Sequence, residues 1–120
     1  MKFYLRPAST YEVITNIDRE VIEDEVLELE DYTENALMLE PEIPIKQCDF
    51  IQAYYPEPEY DDGTGYRVLV SILSEDNNTN RLYRYKTLDV REVINIFLDY
   101  FEKQQIPDVT TWEDMTDELK

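Results

Sequence analysis

The chain has 120 residues with 28 acidic and 11 basic side chains, a formal net charge of −17. That excess disfavours nucleic acid and anionic membranes as direct partners, because their phosphates are held by Lys and Arg. With no histidine, one cysteine and two glycines, the chain cannot build a Ser-His-Asp or Cys-His nucleophile system, a Cys/His zinc site, a P-loop or a dinucleotide fingerprint.

Hydrophobic residues at 42% and aromatics at 12% are sufficient for one packed core. Along the chain, residues 2–6 read as a short edge strand around Phe3 and Leu5. Residues 10–24 read as a helix, with Ile14, Ile17 and Val21 on one face and Thr10 as its cap. From Val26 the spacing turns to alternation, Leu27 and Leu29 against Glu28 and Glu30, and Ala36 to Leu39 is a second apolar run. A hairpin over 26–40 satisfies that pattern; one long acidic helix is the competing drawing. Pro41 and Pro44 mark the exit either way.

Phe50 to Tyr55 reads as a strand, followed by the acidic, proline-punctuated loop Pro56 to Gly65. Residues 66–73 alternate Tyr66, Val68, Val70 and Ile72 onto one face, and 81–87 alternate Tyr83 and Tyr85 against Arg84 and Lys86. The polar segment Ser74 to Asn80 joins them as a hairpin.

The strongest helical signal runs over 89–105, where Val90, Val93, Ile94, Phe97, Tyr100 and Phe101 recur at three- and four-residue steps. Asp89 is the expected N-cap, Glu92 stands in the capping-box position, and Leu88 and Val93 are placed for a hydrophobic staple. Asp99 and Lys103 are spaced to pair, and Pro107 ends the helix. A last short helix is drawn over 110–120, capped by Thr111 with Asp114 in the box position, and Trp112 docks that tail on the body.

These elements predict an α+β fold in a single domain, residues 1–120: a small antiparallel sheet packed by the 89–105 helix. Cys48 has no second cysteine and no activating neighbour, so it reads as a packed free thiol in a reducing cytoplasm. The N-terminal residues lack the apolar core of a signal peptide, and no apolar run approaches the ~20 residues that span a bilayer.

The acids are unevenly spread. Residues 1–60 hold 15 acids and 4 bases, a net of −11, and residues 61–120 a net of −6. Between Glu12 and Glu34 ten acids face Arg19 alone, a density whose self-repulsion a basic partner would relieve. The candidate partner-binding residues there are Asp18, Glu20, Glu23, Asp24, Glu28 and Asp31. A second group surrounds the acidic loop: Tyr54, Glu57, Glu59, Tyr60, Asp61 and Asp62, where tyrosine and carboxylate together suit Arg and Lys. The clustered bases Arg81, Arg84, Lys86 and Arg91 are expected to pair with the protein's own acids. Asp61-Asp62-Gly63-Thr64-Gly65 lacks the order of a calcium loop, and no metal or cofactor is expected.

The functional expectation is a non-catalytic binding protein that inhibits a basic protein. In bacteria that description fits an immunity protein covering the cationic substrate surface of a nuclease-like toxin. Alternatives are a phage-type DNA mimic acting on a host nuclease or restriction system, and an adaptor that binds through tyrosines. A carboxylate enzyme of glycosidase type is the reading these exclusions leave among catalysts.

Overall fold

Six antiparallel strands lie side by side in chain order. They are β1 (Phe3–Arg6), β2 (Ala36–Pro41), β3 (Cys48–Tyr54), β4 (Tyr66–Leu73), β5 (Asn80–Thr87) and β6 (Glu113–Asp114). Helix α1 (Arg19–Leu27) falls between β1 and β2, and α2 (Val90–Lys103) between β5 and β6. The computed structural model describes residues 1–57, 65–74 and 79–116. The architecture is α+β, as the order of apolar patterns predicts.

Register explains the core. Leu5, Leu39, Ile51, Val70 and Tyr83 are successive cross-strand partners, and Leu37, Ala53, Val68 and Tyr85 form the next row. The aliphatic members of both rows are fully buried, because α1 and α2 cover this face. Helix α2 contributes Val93, Ile94, Phe97, Leu98 and Tyr100 to the core. Each such side chain is worth roughly 1.5–3 kcal/mol when taken out of water. Phe3 meets Tyr100 edge-on at 5.9 Å and Phe101 at 5.1 Å, fixing α2 over the β1 side.

Helix α1 starts later than the 10–24 reading places it. Asp18, not Thr10, is its N-cap, with its carboxylate accepting from the Val21 N–H at 2.9 Å. The residues before it serve the sheet instead. Ile14 exchanges both backbone hydrogen bonds with Leu5, at 2.9 and 2.8 Å, so this stretch covers the open edge of β1.

The 26–40 hairpin is not formed. Ile22, Val26 and Leu29 are all fully buried, a three- and four-residue series that carries the helical stripe through α1 into a 3-10 turn at Leu29–Asp31. Leu27, whose alternation with Leu29 suggested a strand, is 54% exposed. Only Ala36–Pro41 pairs as a strand, with β1 and β3 on its two sides. The long acidic helix is equally absent, since α1 ends at Leu27.

The 110–120 helix is also not formed over its described part. Glu113 and Asp114 pair with Arg84 and Tyr83 as β6, and residues 117–120 lie outside the described residues. The backbone of β5 needs a partner on its outer side. The two acids meet its arginines there, Glu113 with Arg84 at 2.7 Å and Asp114 with Arg81 at 3.1 Å. Trp112 docks the tail as expected, stacked on Tyr85 with ring centroids 5.2 Å apart.

At the head of α2 the local geometry differs from a capping box. Asp89 caps Arg91 N–H at 2.9 Å. Glu92 instead accepts from the hydroxyls of Thr87 and Tyr85, both at 2.6 Å. Leu88 is 78% exposed and forms no staple with the buried Val93. The helix closes at Gln104, which takes a left-handed φ of 53°, three residues ahead of Pro107.

The sheet's other face carries no described helix. Across it runs the row Arg6, Met38, Gln52, Leu69, Arg84 and Glu113, and beside it Ala36, Tyr54, Arg67 and Lys86. Arg67, Leu69 and Ser71 are nonetheless buried, so β4, as a central strand, is enclosed on both sides.

Candidate functional site

The acidic density found in the sequence becomes one surface formed by α1 and the turn that follows it. Ile22 and Val26 point inward, so the 3.6-residue period turns Glu20, Asp24 and Glu28 to solvent. Asp18 and Asp31 are exposed at the two ends, and Glu23 is half-buried. Asp18, Arg19, Glu20, Glu23 and Asp24 line a shallow depression of about 620 Å³.

Arg19 offsets this surface only in part, because Glu23 acts on it less strongly than Glu102 does. Its guanidinium turns away to Glu102 on α2, with Nε at 3.2 Å from a carboxylate oxygen. The other ion pairs between described residues are Arg6–Glu40, Arg81–Asp114, Arg84–Glu113 and Lys103–Asp99. None of the acids from Asp18 to Glu34 forms an ion pair with another described residue. Two of the four clustered bases, Arg81 and Arg84, pair with the protein's own acids as expected; Lys86 and Arg91 form no ion pair among the described residues. Glu25 registers the crowding: burial, then the charges of Glu28 and Asp24, hold its carboxyl above the usual range.

The second candidate group is partly joined to the first. Thr33 donates to Glu57 at 3.1 Å, and Tyr66 donates to Glu30 at 2.8 Å. These bonds tie the chain after α1 to both ends of the Pro56–Gly65 loop. Tyr66, packed edge-on against Tyr55 at 5.0 Å, has its hydroxyl pushed above the usual range by burial and then by Glu30. Glu59, Tyr60, Asp61 and Asp62 lie outside the described residues.

Tyr54 sits elsewhere, on the sheet face opposite the helices. There Ala36, Gln52, Tyr54 and Leu69 form the floor of a groove of about 300 Å³, and Thr33, Glu34 and Asn35 form its wall. The hollow exists because Ala36 is the small partner of Tyr54 across β2 and β3. No signal in the sequence marks Gln52 or Leu69 as groove residues, since that needs the register. Glu30 and Glu34 lie within the acidic run but were not singled out by it, and the apolar exposure of Leu27 and Tyr32 follows only once the α1 stripe is known.

Cys48 is buried, and burial pushes its thiol up to about 11. Among the described residues no three Asp, Glu or Cys side chains are grouped so as to hold a metal ion. No described helix is long and apolar enough to cross a membrane. Comparison with protein-family models, with curated proteins and with solved structures finds no match to this chain.

Proposed function

We propose that the protein acts by binding, not by catalysis, and that α1 docks on a basic protein. It inhibits that partner by covering a cationic substrate surface, in the manner of an immunity protein set against a nuclease-like toxin. One observation supports the reading above the others. The bases of the described chain that form ion pairs spend them on Glu40, Asp99, Glu102, Glu113 and Asp114, while the acids of α1 form no ion pair with another described residue. Repeated like charges at three- and four-residue spacing destabilise a helix by about 0.2–0.5 kcal/mol per pair. A cationic partner relieves that repulsion and is steered toward it at low salt.

The test is capture of partners at two ionic strengths, with the wild-type chain and a Glu23→Lys, Asp24→Lys, Glu28→Lys variant as baits. A basic enzyme retained by the wild type at low salt, released by salt, lost by the variant and inhibited in its own assay supports the reading. A partner held equally by both baits at both salts overturns it. That result would favour an adaptor instead, for which the exposed Leu27 and Tyr32 offer apolar anchors beside the acids.

A further inference from the structure

We infer that the groove over Ala36 is the receptor for a single arginine side chain of the basic partner. This rests on the reading of a cationic partner and names the contact that orients it. The groove holds about 300 Å³, the scale of one large side chain and too small for a segment of folded chain. Among the described residues its only charged lining residue is Glu34, which is exposed and forms no ion pair or hydrogen bond with another described residue. Glu57 adds a second carboxylate behind the wall through its bond from Thr33.

The floor supplies what a guanidinium needs besides charge. Tyr54 offers an aromatic ring, and planar guanidinium groups stack on such rings where an ammonium does not match the shape. The Gln52 side-chain amide, half-buried, has no hydrogen-bond partner among the described residues, so its carbonyl oxygen is open to an N–H donor. Leu69 and Ala36 face the aliphatic stem that arginine buries along apolar surface. The nearest bases, Arg84 and Arg67, are engaged by other groups. Arg84 is shared between Glu113, at 2.7 Å, and a side-chain hydrogen bond to Tyr54, and Arg67 donates to the carbonyls of Gly65 and Tyr66; neither lines the groove, and the Tyr54 ring remains the stacking surface. The wall residues 33–35 follow in sequence on the acidic turn at Leu29–Asp31, while the groove itself opens on the sheet face opposite α1 and α2.

The experiment is an NMR titration of the full chain with N-acetyl-arginine methylamide, and with its citrulline and norleucine counterparts. Citrulline keeps the shape and removes the charge; norleucine keeps only the stem. The expected result is saturable shifts of the Gln52 side-chain amide and Leu69 methyl groups, with arginine bound at least about five-fold more tightly than citrulline at low salt. Ala36→Trp, which fills the hollow from the solvent face, removes the response, and Glu34→Gln weakens arginine by about three-fold. Equal binding of citrulline, shifts confined to α1, or an intact response in a folded Ala36→Trp protein would overturn the inference. Should Ala36→Trp not fold, Glu34→Gln and the citrulline comparison still decide it. The two readings fail separately: a silent groove with salt-dependent capture intact removes only the arginine receptor. A responsive groove with salt-independent capture removes the inhibitor reading.

Discussion

The Tyr100 hydroxyl donates to the backbone carbonyl of Cys48 at 2.7 Å, joining α2 to β3 across 52 positions of the chain. Both residues are fully buried, so the bond is made where water cannot replace it. The same carbonyl also accepts from the Ile45 N–H at 3.0 Å, and losing the tyrosine therefore leaves it partly satisfied. Tyr100→Phe is expected to cost about 1 kcal/mol of unfolding free energy, read from urea denaturation. The Cys48 thiol, held up at about 11 by burial, should resist iodoacetamide at pH 8 in the native protein and react readily once unfolded. An unchanged denaturation midpoint, or rapid native labelling, would contradict this packing.

Asp24 lies one turn from both Glu20 and Glu28 on the exposed side of α1. Asp24→Lys replaces two repulsive spacings with attractive ones and places a cation in the last turn, where α1 has none. Stability should rise by about 0.5–1 kcal/mol. Partner affinity at low salt should fall by about ten-fold, equivalent to a loss of 1.4 kcal/mol. Calorimetric unfolding and binding of the captured partner measure the two halves. A variant that is both more stable and equally tight would show that the acids serve no interface.

Glu25 gives the pH dependence its sign. Its native carboxyl is held above the usual carboxylate value by burial, then by Glu28 and Asp24. The native state therefore binds the proton more tightly than the unfolded chain, and stability falls as pH rises through the interval between those two values. Glu25→Gln removes that dependence. At pH 7 the variant should melt higher by about 1–3 °C, the scale of a few tenths of a kcal/mol. Below the usual carboxylate value the difference should vanish. Thermal melts of both proteins across pH 3.5–7.5, an interval bracketing ordinary carboxylate titration at about 4.3, provide the comparison; a gap that widens on acidification would reverse the assignment.

The two-residue turn between Ile45 and Cys48 places Lys46 at φ 49° and Gln47 at φ 69°. Both are left-handed conformations in which an L side chain is crowded and glycine or asparagine is not. Gln47→Gly should stabilise the protein by about 1 kcal/mol, with the Gln47 carbonyl still accepting from the Leu73 N–H. Urea midpoints test this. Destabilisation would mean that the Gln47 side chain itself contributes to the fold.

Where one residue had one apolar neighbour at the right step, the sequence was decisive. The stripe of Val93, Ile94 and Phe97 and the alternation of Val68, Val70 and Ile72 each fit a single period, and α2 and β4 follow them closely. The acidic run could also be located, because charge needs no fold to be counted. Leu27 and Leu29 belonged to two periods at once, and only the shared burial of Ile22, Val26 and Leu29 against α2 and the sheet selected the helix.

Three features were decided by tertiary structure alone. Ile14 and the acids Glu113 and Asp114 became sheet-edge partners because unpaired strand edges needed hydrogen bonds, a demand that no local propensity expresses. Arg19 left the acids beside it for Glu102, 83 positions away. The groove exists because register sets Ala36 opposite Tyr54. Period and charge are properties of neighbours along the chain; edges, ion-pair choice and hollows depend on which distant segments are brought together.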